Sequence, residues 1–118
     1  MEIEDLRKHC LAKIGANESL PFGEDTLVFK VAEKMFCLLS LVPPFAISLK
    51  AEPIKVIELR EEFEEIKPGY HMNKKHWITV DLEGSLPKNF IFNLVDESYD
   101  LVYKKLTKKQ KSEVDKNR

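Results

Sequence analysis

Residues 70–87, reading YHMNKKHWITVDLEGSLP, concentrate the side chains best suited to chemistry. They hold the only tryptophan, Trp77, two of the three histidines, His71 and His76, and the adjacent pair Lys74 and Lys75. No acidic residue interrupts the run from Lys67 to His76, so its cations are free to meet an anion. The chemistry this suits is nucleic-acid contact. Lysines neutralise phosphate, Asn73 hydrogen-bonds a phosphate or a base edge, and the imidazoles gain charge as pH falls toward about 6.5. Trp77, set on an outward sheet face with Lys50, Lys30 and Ser48, would stack a base.

Each of these residues also has a structural use. A large aromatic such as Trp77 packs readily beneath a loop or against a dimer partner. Asn73 is a natural turn former. Two imidazoles facing each other across a turn at Asn73-Lys74 supply two metal ligands, and no third histidine or cysteine has useful spacing, so no metal and no cofactor is expected. Cys10 and Cys37 sit in the apolar contexts HCLAKI and FCLLSL, which suit reduced structural thiols and raise a thiol pKa rather than making a nucleophile. Glycine-rich phosphate loops and carboxylate pairs at catalytic spacing are absent, so a non-catalytic protein is expected.

The elements that must position these residues fit one domain. A chain of 118 residues with 43% hydrophobic side chains holds one core without needing a disulfide or metal. A formal net charge of -1 confines any nucleic-acid role to a local patch. No apolar run approaches the roughly 18 residues that span a bilayer, and the start MEIEDLRKH is too polar for a signal peptide, so no membrane partner and a cytoplasmic location are expected.

Ile3, Leu6, Cys10 and Ile14 share one helical face that Gly15 ends. Residues 17–25 read as a loop. Three strands follow over 26–31, 35–42 and 45–50, the second a continuous apolar run suited to a central position. Pro53 starts a second helix whose buried side is expected from Ile54, Ile57 and Phe63, with Glu58, Glu61, Glu62, Glu64 and Glu65 making an acidic outer face. Residues 67–72 and 76–82 form a second hairpin, its last strand placing His76, Ile78, Val80 and Leu82 inward. Ser85 is placed to cap a long helix carrying the stripe Ile91, Val95, Tyr99, Val102 and Leu106. Thr107 and Gln110 have capping-box spacing for a short basic helix over 107–118, which is expected to fray for want of apolar surface. From Lys104 onward six lysines and one arginine face only Glu113 and Asp115. This tail would attract any polyanion or simply keep the helix end solvated.

Four stretches closely resemble the signature of the MmcQ/YjbR family of small bacterial proteins: residues 70–87, Leu20-Pro21-Phe22-Gly23-Glu24-Asp25-Thr26, Ile47-Ser48-Leu49-Lys50 with Pro53, and Ser98-Tyr99-Asp100-Leu101-Val102. The pattern of elements predicts a two-layer α+β domain over residues 1–106, with an antiparallel five-stranded sheet, helices on one face and the order α-βββ-α-ββ-α. The resemblance implies the same arrangement, with the two hairpins projecting as paired wings that bind DNA weakly. The residues expected to make contact are Lys50, His71, Asn73, Lys74, Lys75, His76 and Trp77. Ala32-Glu33-Lys34 lacks the glycine often seen at that turn in the family, which weighs against a symmetrical two-wing grip. The fold the resemblance implies is also similar to that of secretion chaperones. The alternative is therefore a protein-interaction module using a sheet face or the acidic helix on a protein partner or a second copy.

Overall fold

The computed structural model describes residues 1–69 and 72–116. His71 and Arg118 of the sequence reading lie outside the described residues. Among the described residues the elements are α1 (Ile3–Leu11), β1 (Ala16–Ser19), β2 (Thr26–Val31), β3 (Lys34–Ser40), β4 (Ala46–Lys50), α2 (Pro53–Glu62), β5 (Ile66–Pro68), β6 (Trp77–Asp81), α3 (Lys88–Lys104) and α4 (Lys108–Asp115). The sheet is antiparallel with strand order β1-β2-β3-β4-β6-β5, and α3 lies across β2, β3 and β4. This is the two-layer α+β architecture the residue pattern predicts. It has six strands rather than five, because Ala16-Asn17-Glu18-Ser19 pairs with β2 along the sheet edge. Those four residues have little β propensity, so only their pairing partner makes them a strand.

Alternation sets the core. Ile47 and Leu49 of β4 stand opposite Val80 and Ile78 of β6, and all four are buried toward the helices. From above, α3 and the turn that follows it deliver the predicted stripe of Ile91, Val95, Tyr99, Val102 and Leu106, every one buried. Between β2 and β3 the register slips: Phe29 pairs with Cys37 but Lys30 with Met35, leaving Phe36 as an extra residue. Phe36 is thereby buried beside Cys37, its ring meeting Tyr99 edge-on at 5.3 Å. Cys10 and Cys37 are both fully buried and unoxidised, as expected of structural thiols.

Three local expectations are corrected. In α2 the buried side is Val56 and Leu59, while Ile54 and Ile57 are 73% and 57% exposed. The helix has apolar residues on two faces, so spacing alone could not choose which one docks. Ser85 does not cap α3, which starts after Pro87 without a side-chain cap. Its hydroxyl and backbone N–H instead donate to the Glu65 carboxylate at 2.6 and 3.1 Å. Finally, α4 docks rather than frays. Its capping box forms as predicted, Val114 is buried, and Tyr103 donates to Asp115 at 2.9 Å. Gly15 does not end α1, which stops at Leu11 with Ala12 as its cap, but it makes the docking possible: in the turn that follows, at φ 73°, a Cβ there would lie 2.9 Å from Val114 Cγ1.

Candidate nucleic-acid interface

Lys50 and Trp77 are register partners at one end of the β4–β6 ladder, on the opposite sheet face from Leu49 and Ile78. The strand alternation predicts this sharing of a face. At the same end, the β2–β3 turn begins β3 at Lys34, and the end of α3 with the two residues after it brings in Val102, Lys105 and Leu106. Together Lys34, Met35, Lys50, Trp77, Val102, Lys105 and Leu106 line a groove of about 350 Å3. Three lysines therefore surround an apolar floor, and among the described residues no acidic one lines it.

The electrostatics of this groove are set by like charge. Elsewhere several cations are paired: Arg7 with Glu18 and Glu4, Lys13 and His9 with Asp96, Lys55 with Glu97, and Lys88 with Asp5. Lys34, Lys50 and Lys105 make no ion pair among the described residues. Burial lowers the Lys50 pKa, Lys105 and Lys34 lower it further, and Glu52 offsets only part of this. Burial and like charge together make the Lys50 ammonium less favourable here than at a free lysine, a cost that a bound anion offsets.

The position of Lys50 is fixed from inside the core. The Phe36 bulge interrupts the β3–β4 ladder, which stops at Cys37–Leu49 and leaves the Phe36 carbonyl and the Lys50 N–H without strand partners. Ser98, fully buried on α3, supplies both: its hydroxyl donates to Phe36 O at 2.6 Å and accepts from Lys50 N at 2.9 Å. The sequence analysis meets Ser98 only within the family-like stretch 98–102; the structure makes it the link between the main helix and the basic groove.

Trp77 is only 8% exposed. This corrects the expected stacking platform. Gly69 packs so closely that a Cβ there would lie 2.7 Å from Trp77 Cβ, and Gly69 N donates to Trp77 O at 3.2 Å. The indole thus walls the groove instead of offering a free face to a base. Asn73 proves to be a turn former. Its Oδ1 accepts from Lys75 N at 2.9 Å, and its backbone carbonyl accepts from His76 N and Trp77 N at 3.1 and 3.0 Å. The turn displays Lys74 and Lys75 to solvent, while His76 is half-buried and its carbonyl accepts from Ala51 N at 2.9 Å. The fold thereby brings Lys50, Trp77 and the turn residues 73–76 to one sheet end. It adds Lys34 and Lys105, which sequence reasoning did not select because no local pattern shows that a turn and a helix end meet there.

A second polar cluster also escaped the sequence reading. His9 Nε2 lies 2.7 Å from Asp96 Oδ1 and its ring stacks on Phe92 at 4.1 Å, while Lys13 Nζ meets the same carboxylate oxygen at 2.5 Å. This cluster ties α1 to α3. Among the described residues no group of three or more His, Cys, Asp or Glu side chains is placed to hold a metal ion, and no helix is long and apolar enough to cross a membrane.

The chain is similar to several known proteins over most of its length. The family model described as YjbR matches residues 11–101. The uncharacterised protein YjbR of Escherichia coli K12 is 39% identical over 100 residues, covering 84% of this chain and 85% of that protein. The uncharacterised protein YyaQ of Bacillus subtilis is 30% identical over 112 residues, covering 83% and 95% respectively. In the crystal structure of the Deinococcus radiodurans protein DR2400, a chain 40% identical superposes with a TM-score of 0.88, covering 95% of this chain and 86% of that one. With the matched stretches extending from the end of α1 into α3, through every strand of the sheet, the chain belongs to the YjbR family.

Proposed function

We propose that this protein binds DNA without catalysing a reaction, contacting the phosphate backbone with the lysine-rich end of its sheet. The observation that supports this most is the convergence of Lys34, Lys50 and Lys105 on one groove without an acidic residue. The exposed Lys74 and Lys75 extend the same positive surface along the second hairpin. Crowded, unpaired cations cost stability in the free protein and are relieved when phosphate oxygens arrive. Asn73 serves by holding the turn that presents the two lysines. Trp77 serves by shaping the groove.

The test is fluorescence anisotropy of a labelled random-sequence duplex at 50 and 200 mM salt. Wild type should bind, and affinity should fall as counterions re-compete, with a log–log slope of about -0.9 per phosphate contacted. Lys50→Glu with Lys105→Glu should weaken binding at least about tenfold and flatten that slope by about two, with folding retained. Absence of binding at low salt and high protein concentration overturns the proposal.

A second reading rests on a different surface. Ile54 and Ile57, one turn apart on α2 and largely exposed, make an apolar strip beside Glu58 and Glu61. Such a strip suits a protein partner or a second copy. Light scattering and partner capture with Ile54→Ser/Ile57→Ser separate this reading from the first, because DNA binding should be unchanged in that variant.

A further inference from the structure

The sheet face turned away from the helices carries a second groove, of about 710 Å3, whose chemistry differs from that of the basic end. Its floor consists of two rows read across the strands. Leu38, Ser48 and Thr79 stand opposite one another on β3, β4 and β6, and Thr26 stands opposite Ser40 on β2 and β3, with Ala46 beside them. Three separate connections form the walls: Phe22 between β1 and β2, Pro44 between β3 and β4, and Met72 between β5 and β6. The first two walls are tied together where Leu41 N donates to Asp25 O at 2.8 Å.

Among the described residues none of those lining this groove is charged; Lys67 and Asp81, the register partners of Thr79 and Ala46, lie outside its lining. The floor is flat because its central side chains are small. The walls are an exposed phenyl ring, a proline ring and a thioether, a set that packs well on the faces and edge of an aromatic ring. Phe22 is 64% exposed in the free protein. Among the described residues the hydroxyls of Thr26 and Ser48 have no hydrogen-bond partner, whereas Ser40 donates to Val42 O at 2.7 Å. The volume lies in the range of small-molecule sites, roughly 300–1,000 Å3, which are mostly apolar with a few placed polar groups. Walls on several sides and a mid-sheet location rule out strand addition, which needs a free edge such as β1 or β5.

We propose that this groove binds a neutral, flat aromatic molecule of two or three rings, lying on Ala46 and Ser48, flanked by Phe22, Pro44 and Met72, and hydrogen-bonded by Thr26 or Ser48. The site is separate from the lysine groove and does not depend on DNA binding. The apolar character of the described lining sets the class: a phosphate, sulfonate or carboxylate would lose its hydration here, and none of the described lining residues would replace it with a cation.

Two probes with the same ring system and different charge test this: neutral N-phenyl-1-naphthylamine and anionic 8-anilinonaphthalene-1-sulfonate. Wild type should give a saturable, one-to-one rise in fluorescence with the neutral probe and bind the sulfonate at least about tenfold more weakly. Ala46→Phe fills the floor from the solvent side and should weaken the neutral probe about tenfold or more, with circular dichroism unchanged. If Ala46→Phe fails to fold, Phe22→Ser in the exposed loop reads the same site and should weaken binding severalfold. The Ile54→Ser/Ile57→Ser variant should bind as wild type does. No saturable signal in wild type, equal affinity for both probes, or loss of signal only in the α2 variant would overturn the proposal.

Discussion

Replacing Ser98 by Ala should be among the most damaging single-atom changes available in this protein. The Ser98 hydroxyl is fully buried and holds two backbone groups that the Phe36 bulge removes from the strand ladder, Phe36 C=O at 2.6 Å and Lys50 N–H at 2.9 Å. Alanine fills nearly the same space, so the cavity term is small. The cost comes from two buried polar groups left without partners, about 1–3 kcal/mol each. Partial relaxation of the bulge should keep the total at about 2–4 kcal/mol. For a chain of this size each kcal/mol lowers Tm by roughly 3–6 °C, so a fall of about 6–24 °C is expected. Urea unfolding followed by circular dichroism measures it, with the midpoint shifted and the m-value unchanged. Ser112→Ala, on the exposed side of α4, is the control and should change stability by less than about 0.5 kcal/mol. If Ser98→Ala also costs less than about 0.5 kcal/mol, the bridge does not hold the bulge, and Lys50 is not anchored from the core as described.

Other outcomes follow from the same structure. The β2–β3 turn places Ala32 and Glu33 at φ 47° and 65°, where non-glycine residues are strained, so Ala32→Asn with Glu33→Gly should stabilise the fold by about 1–2 kcal/mol in the same urea assay. Gly15→Ala should destabilise by about 1–2 kcal/mol, because the new Cβ meets both the left-handed backbone and Val114, and amide exchange should show α4 loosening first. Acid stability should fall through the carboxylates. Burial raises the Asp96 pKa, but hydrogen bonds and charge from Lys13 and His9 outweigh it and hold the group below its ordinary 3.8. A depressed folded pKa gives stability that is present above 3.8 and lost as pH falls through the folded value, so Asp96→Asn should flatten the acid limb of a Tm-versus-pH curve. An unchanged acid limb in that variant would show that the His9–Lys13–Asp96 tie does not contribute.

The strands and the main helix were legible because their patterns are strong. The alternation of β4 and β6 gave the correct faces for Lys50 and Trp77, and the stripe from Ile91 to Leu106 gave the buried side of α3. What periodicity could not supply was anything decided by a neighbour. Ala16-Asn17-Glu18-Ser19 becomes a strand only by pairing with β2, and α2 chooses Val56 and Leu59 over Ile54 and Ile57 only when it meets the sheet. Trp77 lies on the predicted face, yet the close approach of Gly69 helps to bury it, a contact set by backbone geometry rather than residue type. The candidate site was legible in its contiguous half. Residues 73–77 announce themselves by composition, and Lys50 by its alternation, but Lys34 and Lys105 join only through the slipped register of β3 and the landing point of α3.

The most direct test of the DNA-binding proposal is an amide-resolved NMR titration of the uniformly 15N-labelled protein with a short random-sequence duplex at low salt. The account predicts fast-exchange shifts clustered at Lys34, Met35, Lys50, Ala51, residues 73–77 and residues 102–106, reversed by added salt and lost in the Lys50→Glu/Lys105→Glu variant. Shifts centred on Ile54 and Ile57, or none at millimolar duplex, would contradict it.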